Sequence, residues 1–212
     1  LEAASLIMVP SGYEDGTLAS VKPNDGTGDF TFSRGSNLSA TRINEQGYIE
    51  KGYENLLLQS NSFLTTWIKS NASVTGGQVG YDGTNDAWLL EKTASSGVLI
   101  KYQTLNITHC FNVYAKAGTL NWIRIRIGTS GDNAYFNLDP NATGSRIGAF
   151  TDDSAQIEDI GNGWFRCSVS YSGVADRYRI YPADDAGDVS GTTGSIYIQD
   201  AMLNQGLVAY PY

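Results

Sequence analysis

The chain contains a single histidine, His109, so any catalytic site that relies on an imidazole base would have to use this residue. It stands at the entry of a predicted strand, and no nucleophile motif surrounds it. Alternation along that strand places it on the same side as Phe111, which predicts a structural position in the core. Histidine pairs cannot ligate a metal here, because there is only one histidine.

Paired carboxylates are a second set that could do chemistry, as the acid and base of glycoside hydrolysis. The adjacent pairs are Asp152-Asp153, Glu158-Asp159 and Asp184-Asp185. All three stand in turn-like segments that predict exposure to solvent. A general acid needs an apolar pocket that raises its pKa. We therefore expect no catalytic residue and no enzymatic activity.

A third set of side chains suits the recognition of sugars. Flat aromatic rings stack on the apolar faces of sugars, and neighbouring arginine or asparagine groups hydrogen-bond the hydroxyls. Successive side chains of a strand point to opposite faces, so alternation identifies the outward positions. The outward residues that offer this chemistry are Tyr114, Trp122, Arg124, Arg126, Tyr135, Asn137, Arg179 and Tyr181. The alternative is that these rings cover a sheet edge, pack under loops or form a subunit interface.

The elements that carry these residues are short strands. Charged residues make up only 17% of the chain and there are 24 glycines, which suits strands joined by tight turns. Period-two alternation predicts strands at 98–103, 110–116, 122–127, 134–138, 164–171, 178–181 and 195–203. The apolar positions predicted to form the core are Phe111, Val113, Ala115, Ile123, Ile125, Ile127, Ala134, Phe136, Leu138, Phe165, Cys167, Val169, Tyr178 and Ile180. The fold class expected for 55–212 is all-β, an antiparallel jelly-roll β-sandwich.

Residues 1–54 differ from the rest, with many turn signals and few apolar positions. They predict an extended N-terminal arm with a hairpin that turns at Glu45-Gln46-Gly47. Such a segment cannot offset its own ordering entropy and becomes ordered by docking. We expect this arm to serve in attachment or oligomerisation, through strand addition to an open sheet edge.

Charge and cysteine content restrict the possible partners and the compartment. The net charge of −8 repels a phosphate backbone, which argues against nucleic acid as a partner. No run of about 20 apolar residues is present, so no membrane-spanning helix is expected. Cys110 and Cys167 allow a single disulfide, but we interpret them as two free thiols, which fits assembly in a reducing cytoplasm.

Several segments together resemble a known kind of protein. They are 54–63 (ENLLLQSNSF), 111–118 (FNVYAKAG), 161–169 (GNGWFRCSV) and 196–203 (IYIQDAML), preceded in the arm by 28–34 (GDFTFSR) and 40–50 (ATRINEQGYIE). Their order resembles the carbohydrate-binding-module jelly rolls, with a preceding arm, of tailed-bacteriophage structural proteins.

The resemblance implies a non-enzymatic protein of the virion surface: a head fibre, a capsid decoration protein or a tail-fibre module. It would be assembled in the host cytoplasm, bind other virion proteins, and bind host surface polysaccharide or mucin glycans weakly and multivalently. The alternative is a carbohydrate-binding module of a larger secreted glycanase. Docking of the arm also predicts self-association, and the resemblance to fibre proteins favours a trimer.

No cofactor is expected except a structural Ca²⁺, which the resemblance implies. In similar jelly rolls an acidic residue of the last strand helps to hold this ion, and Asp200 occupies the matching place. Residues 59–62 offer no carboxylate for it, and the alternative is an aspartate that caps a strand end.

Overall fold

A computed structural model describes the backbone of 8–14, 17–20, 30–31, 41–43 and 49–51, and then residues 55–129, 133–150 and 154–210. The chain divides into two compact units, Leu1–Gly52 and Tyr53–Tyr212. No helix of the described residues has the length and apolar character needed to cross a membrane.

The first unit contains short antiparallel strands. They are β1 (Met8–Glu14), β2 (Thr17–Ser20), β3 (Phe30–Thr31), β4 (Thr41–Ile43) and β5 (Ile49–Lys51). The first three form one sheet, and β4 pairs with β5 so that Ile43 lies opposite Ile49. This is the pairing expected of the predicted hairpin, whose turn residues Glu45, Gln46 and Gly47 lie outside the described residues.

The second unit is built from twelve described strands. They are β6 (Ile68–Ser70), β7 (Ala72–Gln78), β8 (Ala87–Lys92), β9 (Val98–Asn106), β10 (His109–Ala117), β11 (Trp122–Ile127), β12 (Asn133–Asn137), β13 (Ile147–Phe150), β14 (Ala155–Gly161), β15 (Trp164–Tyr171), β16 (Val174–Ala183) and β17 (Ser195–Gln205). All of the predicted strands of 55–212 are present, most with bounds that differ by a few residues.

These strands form two six-stranded antiparallel sheets. Sheet I has the order β14-β15-β10-β17-β8-β7, and sheet II has the order β13-β12-β11-β16-β9-β6. Some neighbouring strands are consecutive in sequence, such as β11 and β12, whereas others come from distant parts of the chain, such as β10 between β15 and β17. The predicted fold class, an antiparallel jelly-roll β-sandwich, is confirmed for this unit.

The core fills the space between the two sheets. Every residue predicted to face inward belongs to one buried cluster, and Phe111, Ile125 and Phe136 have no exposed surface. Burial of each such side chain stabilises the fold by about 1.5–3 kcal/mol. The core thus fixes the register of β11, β12 and β16, and their alternate residues must form the outer face of sheet II.

Residues 55–67 precede the first strand of this unit and pack against the last one. The Asn55 side chain accepts a hydrogen bond from the backbone N–H of Leu203 (3.0 Å) and donates one to the carbonyl of Ala201 (3.1 Å). Phe63 and Trp67 follow it into the core in an edge-to-face pair. This packing gives residues 55–63 their structural role.

Candidate functional site

Seven of the eight residues predicted to contact glycans lie on the outer face of sheet II, on β11, β12 and β16. We call these seven the arginine face: Trp122, Arg124, Arg126, Tyr135, Asn137, Arg179 and Tyr181. Strand register arranges the face in three rows, which are Asn133, Arg126 and Arg179; then Tyr135, Arg124 and Tyr181; then Asn137, Trp122 and Ala183. The core residues between them in sequence fix this arrangement.

Tyr114 is the exception, because it lies on the outer face of sheet I. Its ring stacks on that of Tyr81 at 4.1 Å with an interplanar angle of 13°, and it packs in a small cluster with Trp164. Only 4% of Tyr114 is exposed. Tyr114 is therefore separated from the other seven residues, since it belongs to the other sheet and is covered by the loop that carries Tyr81.

The middle row of the arginine face is built around Arg124. Its guanidinium lies over two rings, with Cζ 5.4 Å from the centroid of Tyr135 and 5.0 Å from that of Tyr181. The negative faces of the rings attract the cation, which holds the guanidinium in place. The tyrosines are only 4% and 7% exposed, so they support the arginine and leave little ring surface for a sugar to stack on. Burial lowers the pKa of Arg124, and its neighbours Arg126 and Arg179 lower it further.

The next row places two arginines side by side. Arg126 on β11 lies directly opposite Arg179 on β16. Each donates from Nη2 to a carbonyl oxygen of the turn that follows β11. Arg126 donates to Thr129 at 2.7 Å, and Arg179 donates to Gly128. The Nε–H groups of Arg124, Arg126 and Arg179 are buried and have no partner within the described part of the chain. None of the three forms an ion pair with a described carboxylate.

Two residues of the same sheet face were missed by the sequence analysis. Tyr102 on β9 lies opposite Arg177 on β16, and the Arg177 Cζ is 5.2 Å from its ring centroid. Tyr102 is 51% exposed, so its ring is open to solvent. Asp176 holds Arg177 through hydrogen bonds to Nε and Nη2, which raise the pKa of the arginine and lower that of the aspartate. Alternation within 98–103 was the available signal, but it could not show which strand lies beside β9.

The remaining row is more occupied by protein contacts. Trp122 is half-buried, and its ring packs closely against Gly148. A Cβ atom at position 148 would lie only 3.1 Å from that ring. The Asn137 side chain accepts a hydrogen bond from the backbone N–H of Asp139 at 2.9 Å. These two residues border the face, whereas the three arginines present the polar groups at its centre.

Asp200, the residue implied for Ca²⁺, lies at the other sheet beside the loop 80–86. The Tyr81 hydroxyl donates to the Asp200 carboxylate at 3.0 Å, and the Asp200 backbone N–H donates to the side-chain oxygen of Asn61 at 3.2 Å. Burial raises the pKa of Asp200 to about 6, and the charges of Asp86 and Asp82 add to the rise. No group of three or more His, Cys, Asp or Glu side chains in the described ranges is placed to hold a metal.

The residues considered for catalysis have structural contacts. His109 is fully buried, with Nδ1 2.6 Å from the Ile107 carbonyl and Nε2 3.0 Å from the Tyr178 hydroxyl. Glu158 pairs with Arg166, and Asp184 pairs with the buried Lys92. Asp152 and Asp153 lie outside the described residues.

Cys110 and Cys167 are free and buried, and burial raises the pKa of both thiols.

No family model and no curated protein sequence matches the chain. Similar solved structures include TmCBM61 in complex with β-1,4-galactotriose, 12% identical, with a TM-score of 0.39 over 72% of this chain and 99% of that one. CsCBM6-3 from Clostridium stercorarium in complex with cellobiose is 11% identical, with a TM-score of 0.36 over 73% and 95%.

The enzymatically active domain of bacteriophage CBA120 tailspike protein 4 is 14% identical, with a TM-score of 0.39 over 72% of this chain. The present chain spans about a fifth of that one (21%). Likeness at these identities concerns the fold alone.

Proposed function

We propose that the chain is a non-catalytic carbohydrate-binding protein that contacts its glycan through the arginine face. The observation that carries the proposal is the cluster of three guanidinium groups on one outer sheet face, held by rings and carbonyls and paired with no described carboxylate. Each guanidinium presents several N–H donors in a fixed plane, which suits the closely spaced hydroxyls of a sugar.

The same face also supplies an open aromatic ring. Tyr102 has an exposed ring and lies on β9 opposite Arg177. Arg177 is two residues before Arg179 on β16 and therefore lies on the same face. A sugar that stacks on Tyr102 can extend across β16 to the guanidinium groups of Arg179 and Arg126. Aromatic contact therefore comes from a residue at the border of the face, and hydrogen bonding comes from its centre.

The setting that we propose is the surface of a phage virion, as a head fibre, a capsid decoration protein or a tail-fibre module. The resemblance of the arm and jelly roll in sequence supports it. Individual contacts with host or mucosal glycans would be weak, and many copies on a particle would supply avidity. A carbohydrate-binding module of a larger secreted glycanase is the second candidate. Capsid or tail genes beside the parent gene would favour the first, and a glycosidase domain in the same chain would favour the second.

The test is a glycan array probed with the full-length protein displayed on multivalent particles. Binding to a defined group of glycans is expected, with loss of signal in Arg124→Ala and Tyr102→Ala. Arg166→Ala is the matched control, because Arg166 lies on the other sheet and pairs with Glu158. Silence across the array, or equal signal from all three variants, would overturn the proposal.

A further inference from the structure

We propose that the sugar recognised by the arginine face carries a carboxylate, as uronic and sialic acids do. The inference rests on the proposed function and narrows it from glycans in general to acidic ones. Arg124, Arg126 and Arg179 carry it, because their positions give the face a concentrated positive charge.

Arg126 and Arg179 lie directly opposite each other on neighbouring strands. Like charges directly opposite each other on antiparallel strands destabilise a sheet. Arg124 adds a third charge two residues from Arg126 on the same strand, and therefore on the same face. Three positive groups thus share a small area, an arrangement that opposes folding unless something else compensates for it.

The described residues do not neutralise this charge with a carboxylate. The contacts of the three guanidinium groups are two backbone carbonyls and two tyrosine rings. Three Nε–H groups remain buried without a partner, which is costly for a polar group. A contrasting case on the same sheet is Arg177, which has its own carboxylate in Asp176. An anionic ligand would supply these three guanidinium groups with the negative charge that Asp176 supplies to Arg177, without reaching their buried Nε–H groups.

The shape of a guanidinium determines which anion fits the arginine face best. A guanidinium is planar and donates two parallel N–H bonds, which matches the two oxygens of a carboxylate. The chain as a whole carries a charge of −8, so it repels polyanions in general. The attraction for an anion must then come from the three arginines alone, and it acts only over the length of one or two sugar rings. A carboxylate on a sugar meets both conditions, because the ring also offers hydroxyls to the neighbouring donors.

The experiment measures affinity of the full-length protein by isothermal titration calorimetry for matched acidic and neutral probes. The acidic probes are oligogalacturonate and oligomeric N-acetylneuraminic acid, the neutral probe is fully methyl-esterified oligogalacturonate, and dextran sulfate serves as a general polyanion. We expect at least one acidic probe to bind at least about tenfold more tightly than the methyl ester, the effect of about one charged hydrogen bond.

The variants separate charge from geometry. Arg126→Gln and Arg179→Gln are expected to lose this acidic preference, Arg126→Lys to retain part of it, and Arg166→Gln on the other sheet to retain all of it. Circular dichroism and thermal melting confirm that each variant is folded.

Equal affinity for the acid and its methyl ester would overturn the acidic preference and leave carbohydrate binding intact. Equally tight binding of dextran sulfate would overturn carboxylate recognition in favour of general anion attraction. No binding to either acidic probe would overturn the inference, and silence of the glycan array as well would overturn the proposed function.

Discussion

Arg126 and Arg179 lie directly opposite each other on adjacent antiparallel strands, and no described carboxylate pairs with either. Without a ligand this pair is expected to cost stability. Arg179→Gln should therefore leave the free energy of unfolding unchanged or raise it by up to about 1 kcal/mol at low salt. Urea unfolding at low and high salt measures this, and added salt should stabilise the wild type more than the variant because it screens the repulsion.

Arg166→Gln is the matched control for that measurement. It breaks an attractive pair with Glu158, so it should lower the free energy of unfolding slightly, by about 0–1 kcal/mol at low salt. Salt should diminish that loss, which is the opposite trend to Arg179→Gln. A loss of more than about 1 kcal/mol in Arg179→Gln would show that this arginine stabilises the sheet.

His109 should make stability depend on pH below neutrality. Burial lowers its pKa below the usual value of 6.5, although the Ile107 carbonyl partly opposes the change. Between the folded pKa and about 6.5 the unfolded chain binds more protons, so stability falls as the pH is lowered through this window. His109→Gln should be less stable at pH 7.5 and should lack this part of the slope. Urea unfolding of both proteins at several pH values between 7.5 and 5 tests it, and parallel curves would contradict it.

Asp200 should produce a slope of the opposite sign, between about pH 3.8 and pH 6. Its pKa is raised from 3.8 to about 6, so the folded state holds the proton more tightly than the unfolded chain. The associated stability is complete below about pH 3.8 and is lost as the pH rises through about 6. Asp200→Asn, which suits the positive φ of 49° at this position, should be more stable than the wild type at pH 7.5, by about 1–3 kcal/mol. A variant less stable at pH 7.5 without metal would contradict this.

The same variant tests the Ca²⁺ prediction. Calcium should raise the melting temperature of the wild type at pH 7.5 and have no effect on Asp200→Asn. The reason is that an ion favours the charged carboxylate that burial disfavours. Equal responses of the two proteins, or none in the wild type, would contradict a site at Asp200.

Self-association is expected from the predicted attachment role of 1–54. Light scattering of the full-length protein should give a mass near three times the chain mass of 22.9 kDa. Deletion of 1–50 should reduce this mass while circular dichroism still reports β structure. A monomeric full-length chain would contradict the prediction.

The sequence predicts the fold well where apolar and polar residues alternate. Ile123, Ile125 and Ile127 show this period, and they lie in the core as expected. β7 and β14 are harder to recognise, because the alternation in each is short. In β7 it ends at Gly76 and Gly77, and in β14 the polar residues Glu158 and Asp159 stand side by side.

The candidate site could be predicted only in part, for a different reason. Alternation gives the side of each strand on which a residue lies, and it identified as outward the seven residues that lie on the outer face of sheet II. It does not give the strand order, so it could not separate Tyr114 from the rest or bring Tyr102 beside Arg177. Nor could it show that Arg124 covers two rings, since these rings come from two neighbouring strands.

The central claim is that the outer face of sheet II binds a glycan, and amide chemical-shift mapping by NMR tests it most directly. The full-length, isotopically labelled protein is titrated with the strongest ligand from the glycan array. The largest shift changes are expected in Trp122–Ile127, Asn133–Asn137 and Val174–Ala183, and they should be strongly reduced in Arg124→Ala. Largest changes in the loop 80–86 or on β14 and β15, or no change at saturating ligand, would contradict the account.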